Sequence, residues 1–198
     1  VAEKFTEMLL ARMEKYRVGN GMIPDTDMGP SVEENQMNTV LRYIEIGKSE
    51  GARLLRGGKR LMSDEYAKGY FIEPTLFDNV TMNMRIAQEE IFGPVVGVLR
   101  AKDFEEAVEM SNSIKYGLSA SLYSNDASKI MRFVEQAEVG KVHINSPTIG
   151  GEAQAPFGGT KATGIGPREC GTEVFEFYTE IKTVYVDYTG KKRETNIY

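Results

Sequence analysis

The chain has 198 residues, and its 24 Lys and Arg against 29 Asp and Glu give a formal net charge of −5 at neutral pH. Its basic residues are dispersed apart from a cluster at 191–193, which argues against a nucleic-acid partner. We find no signal peptide and no apolar run of transmembrane length, and a lone cysteine cannot form an internal disulfide. We therefore expect a cytoplasmic protein without a membrane span.

The first 16 positions carry apolar residues at three- and four-residue steps, which predicts an amphipathic helix. Its expected buried face consists of Phe5, Met8, Leu9, Met13 and Tyr16. No cap or turn precedes it, so we expect the helix to be cut near its start. A loop rich in turn formers follows at 18–30, and a second helix is predicted at 33–49, ending before Gly51.

Short strand-like runs follow the second helix. The segments at 52–55, 70–72 and 75–77 are apolar, and Pro74 interrupts the last two. Because proline cannot donate a hydrogen bond to a ladder, its position argues against a central strand there.

From residue 95 onward, strands and helices alternate regularly. Strands are predicted at 95–99, 119–123 and 141–145, and helices at 103–112 and 126–138. Asp103 and Glu106 form a capping-box pair, and Ile130, Phe133 and Val134 are expected to face inward. This order is typical of right-handed crossovers and of a parallel sheet covered on both faces, so we predict one α/β domain.

The glycine-rich loop at 146–166 is the position where the pattern alone places function. Ligand-contacting residues collect beyond the carboxyl ends of parallel strands, and Asn145 ends the last predicted strand. The glycines could instead serve only as turn formers.

Two motifs are more specific: QEEIFGPV at 88–95 and PFGGTKATGIGPRE at 156–169. Together they resemble the aldehyde dehydrogenase superfamily, and similarity extends to about residue 188. The resemblance implies an α/β, parallel-sheet, three-layer catalytic domain at 1–180, N-terminally truncated, and a C-terminal oligomerisation strand and tail at 181–198. The chain lacks a glycine-rich strand–helix turn for a pyrophosphate and a cysteine at the position of the family's nucleophile. We therefore expect the C-terminal catalytic portion of a longer enzyme, inactive alone and without catalytic residues of its own.

The family oxidises an aldehyde to a carboxylate through a thioester, with NAD or NADP as the cofactor. The resemblance implies that Glu90 accepts hydrogen bonds from the hydroxyls of the nicotinamide ribose, that Phe92 packs against the nicotinamide, and that Gln36 lies near the cofactor. A carboxylate can accept two hydroxyls at once and so fix a ribose against rotation. From the pattern alone, Glu90 could instead cap a turn and Phe92 could lie in a core. The choice between NAD and NADP stays open.

The substrate-pocket residues that the resemblance implies are Asn145, Thr148 and Phe157. Asn145 would pack beside the catalytic thiol, and Phe157 would line the tunnel that admits a small-molecule aldehyde. The sequence NSPT at 145–148 and the inserted Pro167 are similar to 2-oxoglutarate semialdehyde dehydrogenases. Most aldehyde dehydrogenases lack that proline.

The sole cysteine and the sole histidine, Cys170 and His143, could in principle form a catalytic pair. Cys170 is predicted early in a helix, where a thiol's pKa can be lowered. We favour a packing role for Cys170 and expect His143 to be a hydrogen-bonded core residue in its strand. One Cys and one His also offer no metal site.

The segment at 182–188 alternates in polarity, which predicts a half-buried edge strand. In the family the corresponding strand joins a neighbouring subunit, so we expect a homodimer or homotetramer. Two other functions stay open: a non-catalytic assembly module of the same fold, and part of a related acyl-phosphate reductase.

Overall fold

The computed structural model describes residues 1–150 and 153–191, which form an α/β structure. The helices are α1 Ala2–Met13, α2 Glu34–Ser49, α3 Arg85–Gln88, α4 Phe104–Asn112, α5 Ala127–Gln136 and α6 Val174–Tyr178, with a 3₁₀ helix at Asp64–Lys68. The strands are β1 Arg53–Arg56, β2 Thr75–Val80, β3 Val95–Leu99, β4 Tyr116–Gly117, β5 Ser119–Leu122, β6 Lys141–Ile144 and β7 Thr160–Lys161. None of the helices in these two ranges is long and apolar enough to cross a membrane.

The strands form three separate ladders. In the largest, β2 lies between β1, which is antiparallel to it, and β3, which is parallel. β5 and β6 pair in parallel across α5, as predicted, whereas β4 and β7 form a short antiparallel pair. The sheet is therefore mixed at β1, and β3 is not hydrogen-bonded to β5 in the described ranges.

The prediction that Pro74 excludes a central strand is wrong, because β2 is the central strand of its sheet. Pro74 lies one residue before the strand, so its missing N–H falls outside the ladder. The first strand residue, Thr75, donates its N–H to the carbonyl of Pro94 at 2.8 Å. A proline is costly inside a central strand but not at its entrance.

Helix α2 supplies the main core and agrees with the prediction. Met37, Val40 and Ile44 are buried on one face of the helix and pack in a cluster that contains Phe77 of β2. Each such side chain contributes roughly 1.5–3 kcal/mol on full burial. Gly51 follows the helix with φ +95°, a conformation that glycine adopts without steric cost.

The buried face of α1 differs from the prediction. Thr6 and Met13 are buried and Leu9 and Leu10 are half-buried, whereas Phe5, Met8 and Tyr16 are exposed. Met13 packs with Leu76 and Val98, so α1 covers the sheet only along a narrow stripe. Leu9 and Met13 stay on the covered face as predicted, whereas Thr6 and Leu10 take the places expected for Phe5 and Met8, so the face is turned by less than the 100° of one residue.

The same geometry explains an error in α5. Phe133 is buried and Ile130 is half-buried, but Val134 is exposed, because it lies about 100° further around the helix than Phe133 and so at the edge of the buried face. The helix start of α4 was predicted correctly, since Asp103 Oδ1 accepts from the N–H of Glu106 at 2.9 Å. Glu106 Oε2 completes the cap by accepting from the N–H of Lys102 at 2.6 Å.

The C-terminal part also departs from expectation. Cys170 is not in a helix: it lies in a turn with φ +63°, four residues before α6 begins. The predicted strand at 182–188 is not formed in the single chain, because no strand of the described ranges lies alongside it, and Val184, Val186 and Tyr188 are exposed. Its role between subunits stays a prediction. Residues 192–198 of the predicted tail lie outside the described residues.

Candidate active site

Two adjacent glutamates open the turn between α3 and β3, and their surroundings differ. Glu89 accepts hydrogen bonds from Arg85 Nε at 3.0 Å, Arg85 Nη2 at 2.9 Å and the Tyr43 hydroxyl at 2.6 Å. Arg85, and then Tyr43, hold the pKa of Glu89 down to about 2. Glu90 is exposed, and its side chain has no hydrogen-bond or ion-pair partner in the described part of the chain. Glu89 therefore braces the turn, and Glu90 is left free to bind a ligand.

Phe92 follows with its side chain turned outward. It is 78% exposed and has φ +52°, a left-handed conformation that is uncommon for an aromatic residue. Gln36 of α2 donates from Nε2 to the carbonyls of Ile91 at 3.1 Å and Phe92 at 2.9 Å. A Cβ placed on Gly93 would lie 2.4 Å from Val40 Cγ2, so the turn is seated directly against α2. An exposed aromatic ring is thus held on a well-anchored turn.

A groove of about 430 Å³ lies beside this turn. Its walls are the loop at 28–32, Gln36, Ile72 and the turn at 92–94. That volume falls within the range of roughly 300–1,000 Å³ that is usual for small-molecule sites. Gln36 and Phe92 therefore share one concave surface, whereas Glu90 is not among the residues that line it.

Asn145 directly follows β6, with φ +54°. Its Oδ1 accepts from the N–H of Ser124 at 2.9 Å, and its Nδ2 donates to the carbonyl of Ser124 at 3.0 Å. Both amide atoms therefore join the end of β6 to the chain that leaves β5. Thr148 is exposed in the following loop, whose residues 151 and 152 lie outside the described ranges.

Phe157 lies outside the named strands and contacts the opposite end of β6. Its backbone forms a two-way bridge with Glu169 at 2.6 and 2.8 Å, and its ring centroid lies 4.3 Å from Lys141 Nζ. Lys141 is the first residue of β6, whereas Asn145 follows the last. The structure therefore brings Gln36 and Phe92 together near Glu90, but the ring of Phe157 lies beside the start of β6 and Asn145 follows its end.

The two other candidate residues are His143 and Cys170, and His143 forms fewer hydrogen bonds than expected. His143 lies in β6, but its buried Nε2 has no hydrogen-bond partner in the described residues, so the expectation of a hydrogen-bonded ring is wrong at that atom. Cys170 is half-buried in its turn. Within residues 1–150 and 153–191, no group of three or more His, Cys, Asp or Glu side chains could hold a metal ion.

Sequence reasoning missed the brace around Glu89. The spacing of Arg85 and Glu89, four residues apart, is a recognisable helical pair. Tyr43 lies 46 residues from Glu89, and no local pattern could have identified it.

Comparison with known proteins decides the family. The model of the aldehyde dehydrogenase family matches residues 1–184. The chain belongs to the aldehyde dehydrogenase family. The resemblance predicted from the two motifs is thereby confirmed.

Relatives of this aldehyde dehydrogenase chain include an α-ketoglutaric semialdehyde dehydrogenase from Bacillus subtilis, 44% identical over 94% of the chain and 38% of the relative. A 2,5-dioxopentanoate dehydrogenase from Saccharolobus solfataricus is 46% identical over 93% of the chain and 38% of the relative. Betaine aldehyde dehydrogenase from Staphylococcus aureus, solved with NAD⁺, superposes with a TM-score of 0.85 and 40% identity over 89% of the chain and 35% of that structure. The chain thus spans under two-fifths of the length of these relatives.

Proposed function

We propose that this chain is part of an NAD(P)-dependent aldehyde dehydrogenase that oxidises an aldehyde or semialdehyde to a carboxylate. Membership of the family supports the reaction class. The observation that carries the proposal is the contrast between the two adjacent glutamates. Arg85 and Tyr43 engage the carboxylate of Glu89, whereas Glu90 keeps an exposed carboxylate two residues from the exposed ring of Phe92.

These residues fit a nicotinamide cofactor, which would supply the hydride acceptor when bound. The carboxylate of Glu90 would accept hydrogen bonds from the two ribose hydroxyls, because an ionised carboxylate has acceptor sites on both oxygens. The ring of Phe92 would cover one face of the nicotinamide ring and exclude water from it. Several solved relatives with NAD⁺ support the cofactor class, and NADP remains the alternative.

The nucleophile and the residue that activates water for thioester hydrolysis would lie in the rest of the parent enzyme. The chain's only cysteine, Cys170, is half-buried in a turn near the backbone of Ala153, to whose carbonyl the following Gly171 N–H donates at 3.0 Å. We assign Cys170 to packing. The isolated 198-residue chain would therefore show no aldehyde oxidation.

For the substrate, we propose a small semialdehyde that carries its own carboxylate, such as 2-oxoglutarate semialdehyde. Relatives with this named activity and the Pro-Thr pair that ends at Thr148 support the subgroup. Asn145 would act as a fixed wall of the pocket, because Ser124 engages both atoms of its amide. Phe157 would line the approach of the aldehyde.

We further propose a cytoplasmic homodimer or homotetramer, assembled through the strand predicted at 182–188. The exposed Val184, Val186 and Tyr188 support this, because a row of apolar side chains in water favours burial against another chain.

The test of the reaction is Glu90→Gln in the full-length parent enzyme. The substitution keeps the shape and weakens the hydrogen bonds to the ribose, so single-turnover hydride transfer should slow by roughly ten- to a hundredfold. Affinity for the cofactor should change less, because the missing part would supply most of it. Glu109→Gln, at another exposed glutamate, on α4, is the matched control and should retain the wild-type rate.

An unchanged single-turnover rate in Glu90→Gln would show that Glu90 has only a structural role in its turn. A parent enzyme that oxidises no aldehyde with either NAD or NADP would refute the proposed function and favour the assembly module.

A further inference from the structure

Gln36 uses one amide nitrogen to hold two successive carbonyls of a distant turn. Its Nε2 donates to Ile91 and Phe92, which are 55 and 56 residues away in the sequence. A primary amide has two N–H donors, so these two bonds occupy both of them. Gln36 therefore has no amide hydrogen left to donate to a ligand while the turn has this geometry.

The turn needs such an anchor because its backbone conformation is unfavourable. Phe92 has φ +52°, and an aromatic residue adopts a left-handed conformation only when its surroundings impose it. The close approach of Gly93 to Val40 fixes the turn against α2. One helical turn earlier on the same helix, the two bonds from Gln36 fix the orientation of the peptide planes that flank Phe92. Together these contacts determine where the ring points.

Glu90 depends on the same anchor. Its carboxylate has no partner of its own in the described residues, so its direction is set by the backbone on either side. The brace on Glu89 fixes the preceding residue, and the bond to the Ile91 carbonyl fixes the following one. Loss of the bond to Ile91 would leave the peptide after Glu90 held only indirectly, through the contact of Gly93 with Val40.

We propose that Gln36 is a positioning residue for hydride transfer, acting through the backbone of Ile91 and Phe92 rather than by touching the cofactor. This inference rests on the proposed function. The sequence predicts only that Gln36 lies near the cofactor; because both of its amide hydrogens hold the turn, a direct contact could be made only by Oε1 as an acceptor. The consequence of this inference is that Gln36 affects the rate of the chemical step through Glu90 and Phe92.

The test uses the full-length parent enzyme with NAD⁺ and its aldehyde. Gln36→Met keeps a similar length and removes both donors, so we expect single-turnover hydride transfer to slow about tenfold, with KM for NAD⁺ changed less than about threefold. Gln36→Lys keeps donors at a similar reach and should restore the rate to within about threefold of wild type. Asn38→Met, exposed on the same helix, is the control and should retain the wild-type rate.

A double-mutant cycle separates the indirect role from a direct one. If Gln36 acts through the turn, then combining Gln36→Met with Glu90→Gln should slow hydride transfer by less than the product of the two single effects. Independent, multiplying losses would overturn the inference and indicate a separate contact with the cofactor. A lower thermal midpoint with an unchanged hydride-transfer rate would also overturn it, since it would show a purely structural role. In both cases an active wild-type enzyme leaves the proposed function standing, whereas an inactive wild-type enzyme refutes that function itself.

Discussion

Asp78 is a fully buried charge in the central strand. It lies in β2 with 0% exposure, and it accepts from Arg53 Nη2 at 2.6 Å and from Arg100 Nη1 and Nη2 at 2.5 and 3.2 Å. Hydrogen bonds from Arg100, and next from Arg53, hold the pKa of Asp78 well below its usual range. Asp78→Asn keeps the volume of the side chain, removes its charge and turns one acceptor into a donor that faces a guanidinium.

The expected loss of stability in Asp78→Asn follows from the burial of the Asp78 carboxylate. Breaking a buried ion pair costs about 3–5 kcal/mol, mainly because a charge is left without its partner. Here the remaining charges belong to Arg53 and Arg100, whose side chains are 60% and 35% exposed and can be hydrated again. We therefore expect the low end, about 3 kcal/mol in the free energy of unfolding, or roughly 6–12 °C in the thermal midpoint for a chain of this size.

Urea and thermal unfolding followed by circular dichroism measure this difference. Asp25→Asn is the matched control, because Asp25 pairs with Arg17 at 3.1 Å with both side chains largely in water, and such pairs are worth about 0–1 kcal/mol. A loss below about 1 kcal/mol in Asp78→Asn would refute the reasoning.

Acid supplies a second check on Asp78. A depressed carboxylate pKa gives stability that is present above the unfolded pKa, near 4, and is lost as the pH falls toward the folded value. The gap between wild type and Asp78→Asn should therefore stay constant from pH 7 to about 4 and close at lower pH. If the stability difference already closes between pH 7 and 5, the pH dependence would come from a group other than Asp78.

Three further predictions concern packing and assembly. Gly93→Ala should cost about 1–3 kcal/mol in the free energy of unfolding by overpacking against Val40. In urea unfolding, the double variant Gly93→Ala/Val40→Ala should lose less stability than the sum of the two single losses, because the smaller residue 40 makes room for the added methyl group. Asn112→Ala should cost about 1–2 kcal/mol, measured by urea unfolding, because Asn112 joins α4 to α5 through bonds to Gln136 and Glu138 of 2.7 and 2.9 Å. Removal of residues 184–198 from the full-length parent should lower its mass in light scattering, and an intact oligomer would exclude that strand as the assembly element.

The elements that were predicted well depend on local chemistry. Helix α4 begins at Asp103 because its carboxylate caps a nearby N–H, and α2 ends before Gly51 because glycine accepts the left-handed conformation. Both causes lie within a few residues of the effect. The two motifs around Glu90 and Phe157 were likewise visible as short runs, and they identified the family.

The failures came from contacts between distant residues. The central position of β2 depends on pairing with strands on both sides, and the buried stripe of α1 depends on which part of the sheet lies beneath it. The difference between Glu89 and Glu90 depends on Tyr43, and the true partner of Gln36 is a turn more than 50 residues away. These contacts join residues far apart in the sequence, so no local sequence pattern predicts them.

The backbone of Phe92 has a consequence for protein engineering. A left-handed residue other than glycine costs roughly 1–2 kcal/mol, so a search for stabilising substitutions would favour glycine or asparagine at this position. Such a change would relax the turn and delete the aromatic ring at the same time. With the role proposed for Phe92 at the nicotinamide, thermostability and turnover would then move in opposite directions, because the strain is located at the residue that covers the cofactor. On that proposal, selection for activity alone would keep phenylalanine, and selection for heat resistance alone would discard it.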